Sequence, residues 1–259
     1  MENTNHTKWM ALAHAMRQLG NDIIGGASDF TKGSRTKGPA IPKVMAIMLL
    51  SRTLSNLKGV ITLLDKGLVV EARILARCCF ENAFWIAGLL TQGDEFVKQM
   101  CQDDARSSRS RSELLLTTHR ERIPEEIEIQ LRKQLRSIKQ QWPQPKSLSP
   151  KDVAWSGLLR DGYHIYTQLS ADAAHPSLTT LRRHYPDSVQ HEENGKTVIV
   201  AIDVVPAPDE EEVTTTWEWA CHAALGACAG VNEILGGTPA GEQLVEITAR
   251  YQALTTEVS

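Results

Sequence analysis

Apolar side chains along this chain recur mostly at intervals of three and four, the period of a helix with one buried face. In "TKWMALAHAMRQL" the residues Trp9, Leu12, Ala13 and Met16 share such a face, so a helix is expected from Thr7 to Leu19, broken by "GNDIIGGASD". "FTKGSRTKGPAIP" reads as a basic loop. The helical period resumes from Ile41 to Leu64, with Val44, Ile47, Met48, Leu54, Leu57, Ile61 and Leu64 as the expected inward positions, and "DKG" ends it at Gly67. The next stretch, "LVVEARILARCCFENAFWIAGLLTQG", is apolar on nearly every side. Such a helix is enclosed by others, which makes about 68–92 the expected central helix of a bundle.

Polarity then rises. "DEFVKQMCQDDARSSRSRSELLLTTHR" and "PEEIEIQLRKQLRSIKQQW" predict two solvated helices, the second with Pro124 in its first turn. "PQPKSLSP" links them to "DVAWSGLLRDGYHIYTQLSADAAHPS", read as a helix over about 157–175. In "VQHEENGKTVIVAI" two short extended runs flank Asn194-Gly195, which predicts a small β-hairpin insertion near 188–203. "PDEEEVTTTWEWACHAALGACAGVNEILGG" supplies Asp209 as an N-cap, three glutamates where the helix dipole favours them, and Gly236-Gly237 as a stop. Trp217 and Trp219 fall on different sides of this helix, one in the core and one at a contact surface. Its small residues at 220, 223, 224, 227 and 230 offer a face for close helix approach and, as one alternative, for a homodimer. A last helix is expected over about 239–255. The fold class is therefore all-α, a multi-helix bundle divided into an N-terminal helix and loop (1–40), a core with the hairpin (41–236) and a C-terminal helix (237–259).

Composition narrows the function classes. The chain has 259 residues, 42% of them hydrophobic, which suits one sizeable core. Residues 1–120 carry 16 basic and 11 acidic side chains and the remainder 12 and 20, a balance that argues against a strongly electrostatic nucleic-acid binder. No DNA-binding motif is present. Five cysteines occur without a Cys-x-x-Cys pair, so free thiols in a reducing cytoplasm are expected. "MENTNHTKWM" lacks the features of a signal peptide, and the longest apolar run, "AFWIAGLL", is short for a bilayer, so a soluble cytoplasmic protein without a membrane partner is expected. No cofactor is expected, and no phosphate-cradling glycine loop, Gly-x-Ser-x-Gly elbow or His-Glu-x-x-His appears. Arg106, Arg109 and Arg111 suit phosphate contacts less well than a solvated helix face.

The candidate chemistry lies in polar residues that do not belong in a core. Arg73, Arg77 and Glu81 follow at i, i+4 and i+8 on the central helix, a stripe that drifts about 80° around an apolar cylinder. Buried charges of this kind need partners. Tyr166, Ser170 and His175 recur at spacings of four and five and are the expected facing set. Pro176 disfavours helical geometry at His175, so the imidazole is expected at a helix carboxyl end, where the protonated form is favoured. A nearby Glu81 would add to that preference and suit proton donation near neutral pH. Two readings stay open: a polar lock that fixes the register of the bundle, or an active or ligand-binding site. A metal held by Glu81, His175 and either His164 or His222 is a weaker alternative, since no two of them have ligand spacing on one helix.

The combination of "EARILARCCFENAFWIAGLL", "YTQLSADAAHPSLTTLRRHY" and an acidic "PDEEE" resembles an uncharacterised family of bacterial helical proteins with a buried Arg-x-x-x-Glu helix and a Tyr-x-x-Leu-Ser segment ending in His-Pro. The resemblance runs from about Ile41 to Leu235 and implies no activity. More distantly the chain is similar to the HEPN superfamily of helical ribonucleases, although "RDGYH" places Arg160 and His164 only four apart, one short of that superfamily's usual minimum. That likeness implies metal-independent RNA cleavage in a toxin or defence setting, with RNA as partner. His175 would be the general acid or base, Arg77 would stabilise phosphorane charge, Glu81 would orient them, and Arg73, Tyr166 and Ser170 would line the site. The rival readings are a non-enzymatic interaction or scaffold protein, and a sensor of an anionic small molecule using Arg73 and Arg77.

Overall fold

The computed structural model describes residues 4–27, 41–118, 120–157, 159–173, 178–184, 190–193, 196–199, 202–204 and 206–258. Its helices are α1 (Thr4–Gly26), α2 (Pro42–Asp65), α3 (Val69–Gln92), α4 (Asp94–Thr118), α5 (Glu125–Gln141), α6 (Pro150–Ser156), α7 (Gly162–Ala173), α8 (Leu178–Leu181), α9 (Glu210–Leu235) and α10 (Gly241–Val258). The architecture is all-helical. Gln190–Glu193 and Lys196–Ile199 form a short antiparallel ladder with Gln190 opposite Ile199. The expected hairpin turn at Asn194-Gly195 lies outside the described residues.

The apolar helix at 69–92 is central because it offers several apolar faces at once. It packs against α2, α9, α7 and α6, while α1 lies on α9 and α2 and α10 closes over α1 and α9. Phe80, Phe84, Ile86 and Leu89 of α3 join Trp9, Leu12, Met16, Leu50, Leu57 and Trp217 in one buried cluster. Caps set the boundaries. The Asp209 carboxylate accepts from the Glu211 N–H at 3.0 Å, and Gly236, left-handed at φ 87°, ends α9 by donating to the Asn232 and Glu233 carbonyls.

Three expectations change. The helix at the amino end continues through Gly20 to Gly26, because that glycine serves packing: a Cβ there would lie 2.5 Å from Leu54 Cδ2. On α2 the buried line runs through Ala46, Leu50, Leu54, Leu57, Ile61 and Leu64, and Met48, expected inward, is 53% exposed. The first turns of that helix are apolar on two faces, so periodicity does not choose between them. The helix read over 157–175 begins later, at Gly162, since Gly157 adopts an extended conformation that ends the separate helix α6 and a turn precedes α7.

The small-residue face of α9 is used within the chain. Ala220, Ala223, Ala224 and Ala227 are buried, and α3 crosses so closely that a Cβ at Gly230 would lie 2.7 Å from Ile86 Cγ2. This face is therefore not available for the homodimer that it suggested. α2 and α3 are each long and apolar enough to cross a bilayer by length and composition alone, and in this structure their apolar faces form the core, with Arg73, Arg77 and Glu81 on α3.

Two alanine substitutions one turn apart on α9 have opposite expected outcomes. Gly230→Ala drives its methyl into Ile86, a stiff and fully buried side chain, and lowers stability by about 1–3 kcal/mol. Gly226→Ala meets Leu159 at an ordinary 3.7 Å and gains up to about 1 kcal/mol from helix propensity. Urea titration followed by circular dichroism reads both.

Candidate functional site

Residues 73, 77 and 81 occupy successive turns of α3, and α7 lies alongside them. Arg77 is the hub. Its Nη2 donates to Tyr166 Oη at 2.6 Å, its Nε donates to Ser170 Oγ at 3.0 Å, and its Nη1 lies 3.3 Å from Glu81 Oε2. The guanidinium also sits over the Tyr166 ring at 4.7 Å. Ser170 accepts from Arg77 and passes its own proton to the Tyr166 carbonyl at 2.7 Å, so the hydroxyl is fixed in both roles. Tyr166 packs edge-on to Phe84 and stacks on Tyr163. Burial, followed by the Glu81 charge, raises the Tyr166 phenol above its usual value against the opposing pull of Arg77. It is a neutral hydroxyl at any physiological pH.

One turn earlier, Arg73 belongs to a separate group of charges. Its Nε donates to Asp172 Oδ2 at 2.5 Å and lies 3.5 Å from Glu212 Oε1 at the start of α9. Arg183, in a short 3-10 turn at Arg182–His184, donates from Nη1 to Asp172 Oδ1 at 3.1 Å and from Nε to Glu212 Oε2 at 3.2 Å, with a further short bond from Nη2 to Glu212. The Asp172 side chain is only 4% exposed. Two arginines and two carboxylates thus form a clasp that neutralises itself. The hydrogen bond to Glu212 leads in holding the Arg183 guanidinium above its usual value, against the effect of burial. Trp219 lies 5.1 Å beneath the Arg73 guanidinium, and Trp217 is core. At the edge of the clasp, Arg182 and the first turns of α9 border an open cleft of about 440 Å³.

The stripe expected on α3 is therefore divided between two tasks. Arg77, Glu81, Tyr166 and Ser170 come together as the spacing suggested, and Arg73 turns to a different set. His175, with Pro176 and Ser177, lies outside the described residues. Asp172, Arg183 and Glu212 were missed. The signal for Asp172 was present: Arg77 meets residues 166 and 170, so in an antiparallel pair the arginine one turn earlier meets a residue further along, and 172 holds the acid. Arg183 and Glu212 carried no such signal, since their place depends on the path of the chain after α7.

The other candidates are placed elsewhere. His164 is exposed and its Nε2 lies 2.8 Å from Gln168 Nε2. His222 stacks on Phe80 and its Nδ1 lies 3.1 Å from Tyr251 Oη, with burial lowering its pKa. Among the described residues no three His, Cys, Asp or Glu side chains gather as metal ligands. Arg106 and Arg109 bond Ser147 and Glu113, the solvated-face reading of that helix. Burial pushes the Cys79 and Cys221 thiols well up and the Cys228 thiol up to about 12, so these three are packing residues and not nucleophiles.

Arg73→Met leaves the buried Asp172 with Arg183 as its remaining cation and is expected to cost about 3 kcal/mol, with part recovered in the double variant Arg73→Met/Asp172→Leu. Denaturant unfolding of the two variants measures this. His222 has a depressed folded pKa, so the unfolded chain binds more protons as pH falls through about 6.5, and stability is lost in that direction. Glu218, raised by burial, acts with the opposite sign in acid but is shared by wild type and a His222→Gln variant. The difference in Tm between those two proteins should therefore shift in favour of His222→Gln as pH falls from about 7.5 to 5.

Comparison with known proteins adds one relationship. No curated protein and no solved structure matches the chain significantly. The match to a family model covers residues 43–195, from the first turn of α2 to the paired strands, without reaching α9, and it carries no link to the HEPN superfamily. It spans more than half of the sequence, and the chain belongs to the family of unknown function DUF5677.

Proposed function

We propose that this protein is a non-enzymatic helical interaction module, in which the polar core fixes how α7 and α9 seat on α3 and the outer surfaces do the recognising. One observation carries this reading: the charged groups of the core are matched to one another. Arg73, Asp172, Arg183 and Glu212 balance two against two, and all three nitrogens of the Arg77 guanidinium are engaged by Ser170, Tyr166 and Glu81. An anion entering here would have to displace a carboxylate, which argues against the sensor of an anionic small molecule.

A second reading, metal-independent RNA cleavage, draws on the more open half of the cluster. Arg77 and Glu81 side chains are 25% and 37% exposed, and among the described residues the ion pair that holds Glu81 comes from Arg77, one turn earlier on its own helix. With Glu81 swung aside, Arg77 would face a phosphate beside the Tyr166 and Ser170 hydroxyls, and His175 would act as general acid or base.

Induction of wild type and of His175→Ala in a bacterial host, at matched soluble levels, separates the two readings. The interaction reading expects equal growth, and purified protein that leaves structured and unstructured RNAs intact without metal. Arrest by wild type alone, with new RNA ends that the variant does not produce, would transfer the assignment to the nuclease.

A further inference from the structure

Helices α4 and α5 form an antiparallel hairpin on the side of the core, and α5 packs chiefly on α4 without fully burying any of its own residues. Where the last turns of α5 pass the first half of α4 and the first turn of α2, the three helices stand apart and leave a cavity of about 550 Å³. Much of its wall is apolar: Met45 from α2, Val97 and Met100 from α4, and Ile138 and Trp142 from the end of α5. That volume lies within the range of small-molecule sites, and thioethers beside an indole make a soft, polarizable wall.

Charge decides which class of molecule suits it. Among the described residues, Asp104 is the one charged side chain in the lining, and its carboxylate has no hydrogen-bond or ion-pair partner. The helix faces explain why. α5 turns Gln134, Ile138 and Gln141 to the cavity, while Arg132, Lys133, Arg136 and Lys139 leave the helix about 100° or more away from the Gln134 direction. Arg52 of α2 and Arg111 of α4 do share the faces of Met45 and Asp104, but both are exposed and each stands two turns further on, about 10 Å, a distance at which salt screens such charges. Arg111 is also bonded through Nη2 to Ser108 Oγ at 3.2 Å. The clasp on α3 matches every charge, whereas this cavity leaves one carboxylate unmatched.

We propose that the cavity binds a small organic cation, its ammonium group between Asp104 and the Trp142 indole and its apolar body among Met45, Val97, Met100 and Ile138. An anion would meet Asp104 with no counter-charge in the lining, and a neutral apolar molecule would take water from the carboxylate without replacing it. The bound cation would touch three helices at once and so fasten α5 to the core. This site goes beyond the interaction reading and does not depend on it, since no residue of the clasp or of the Arg77 group lines the cavity.

Two-dimensional NMR of the full chain, labelled at its methionine methyls, tests the proposal with benzyltrimethylammonium as the probe and benzyl alcohol and benzenesulfonate as neutral and anionic comparisons. The Met45 and Met100 methyls should shift with the cation, half-saturating at about 1 mM as suits so small a ligand, while Met10 and Met16 on α1 do not respond. Benzyl alcohol should need about three to ten times that concentration, and benzenesulfonate should not saturate. Asp104 is exposed, so Asp104→Asn should keep its helicity and bring cation and alcohol to the same half-saturation. Should that variant unfold, the order of the three probes on wild type decides. Pocket methyls that ignore the cation, an equal response from Met10 and Met16, an alcohol or sulfonate that binds as well as the cation, or a folded Asp104→Asn protein that retains the full preference overturns the proposal.

Discussion

The structure depends on placing two arginines in the wall of an otherwise apolar central helix. Taking such charges out of water costs several kcal/mol apiece unless partners are delivered, and beyond their own helix Arg73 and Arg77 receive theirs from two separate stretches of chain, α7 and the start of α9. Apolar contact alone would let α7 slide or rotate along α3. Bonds from Arg77 to Tyr166 and Ser170, and from Arg73 to Asp172, fix both the register and the direction in which it lies.

Contacts this close require small residues opposite large ones. α9 reaches α3 because alanines and Gly230 leave room for Ile86, and α1 reaches α2 because Gly20 admits Leu54. The same close approach brings Glu212, at the beginning of α9, within reach of both Arg73 and Arg183. Packing of small residues deep in the bundle and ion pairing at its edge are thus two results of one helix placement.

Much of this was legible in the sequence where period and punctuation speak directly. The central helix appears as an apolar run with a charged stripe, and Asp209 and Gly236 mark the ends of α9 through their caps. The convergence of Arg77 with Tyr166 and Ser170 follows from helical spacing. What escaped detection depends on the third dimension. Gly20 looks like a helix breaker until Leu54 is placed beside it, and Met48 looks like core until α3 selects the other face of α2. Arg183 and Glu212 lie 29 residues apart in a polar setting, with nothing local to announce that they meet.

The indole of Trp217 donates to His6 at 3.2 Å across 211 positions, and α1 closes on α9 along the same seam. During synthesis, therefore, the first helix and the central helix must both wait for nearly the whole chain before the faces that meet α9 are covered. Through that interval α2 and α3 present long greasy surfaces to their surroundings, which is the property that gives them the composition of bilayer-crossing segments. The delay makes the nascent chain a natural client for chaperones, and it ties successful folding to how quickly the last third of the protein emerges from the ribosome.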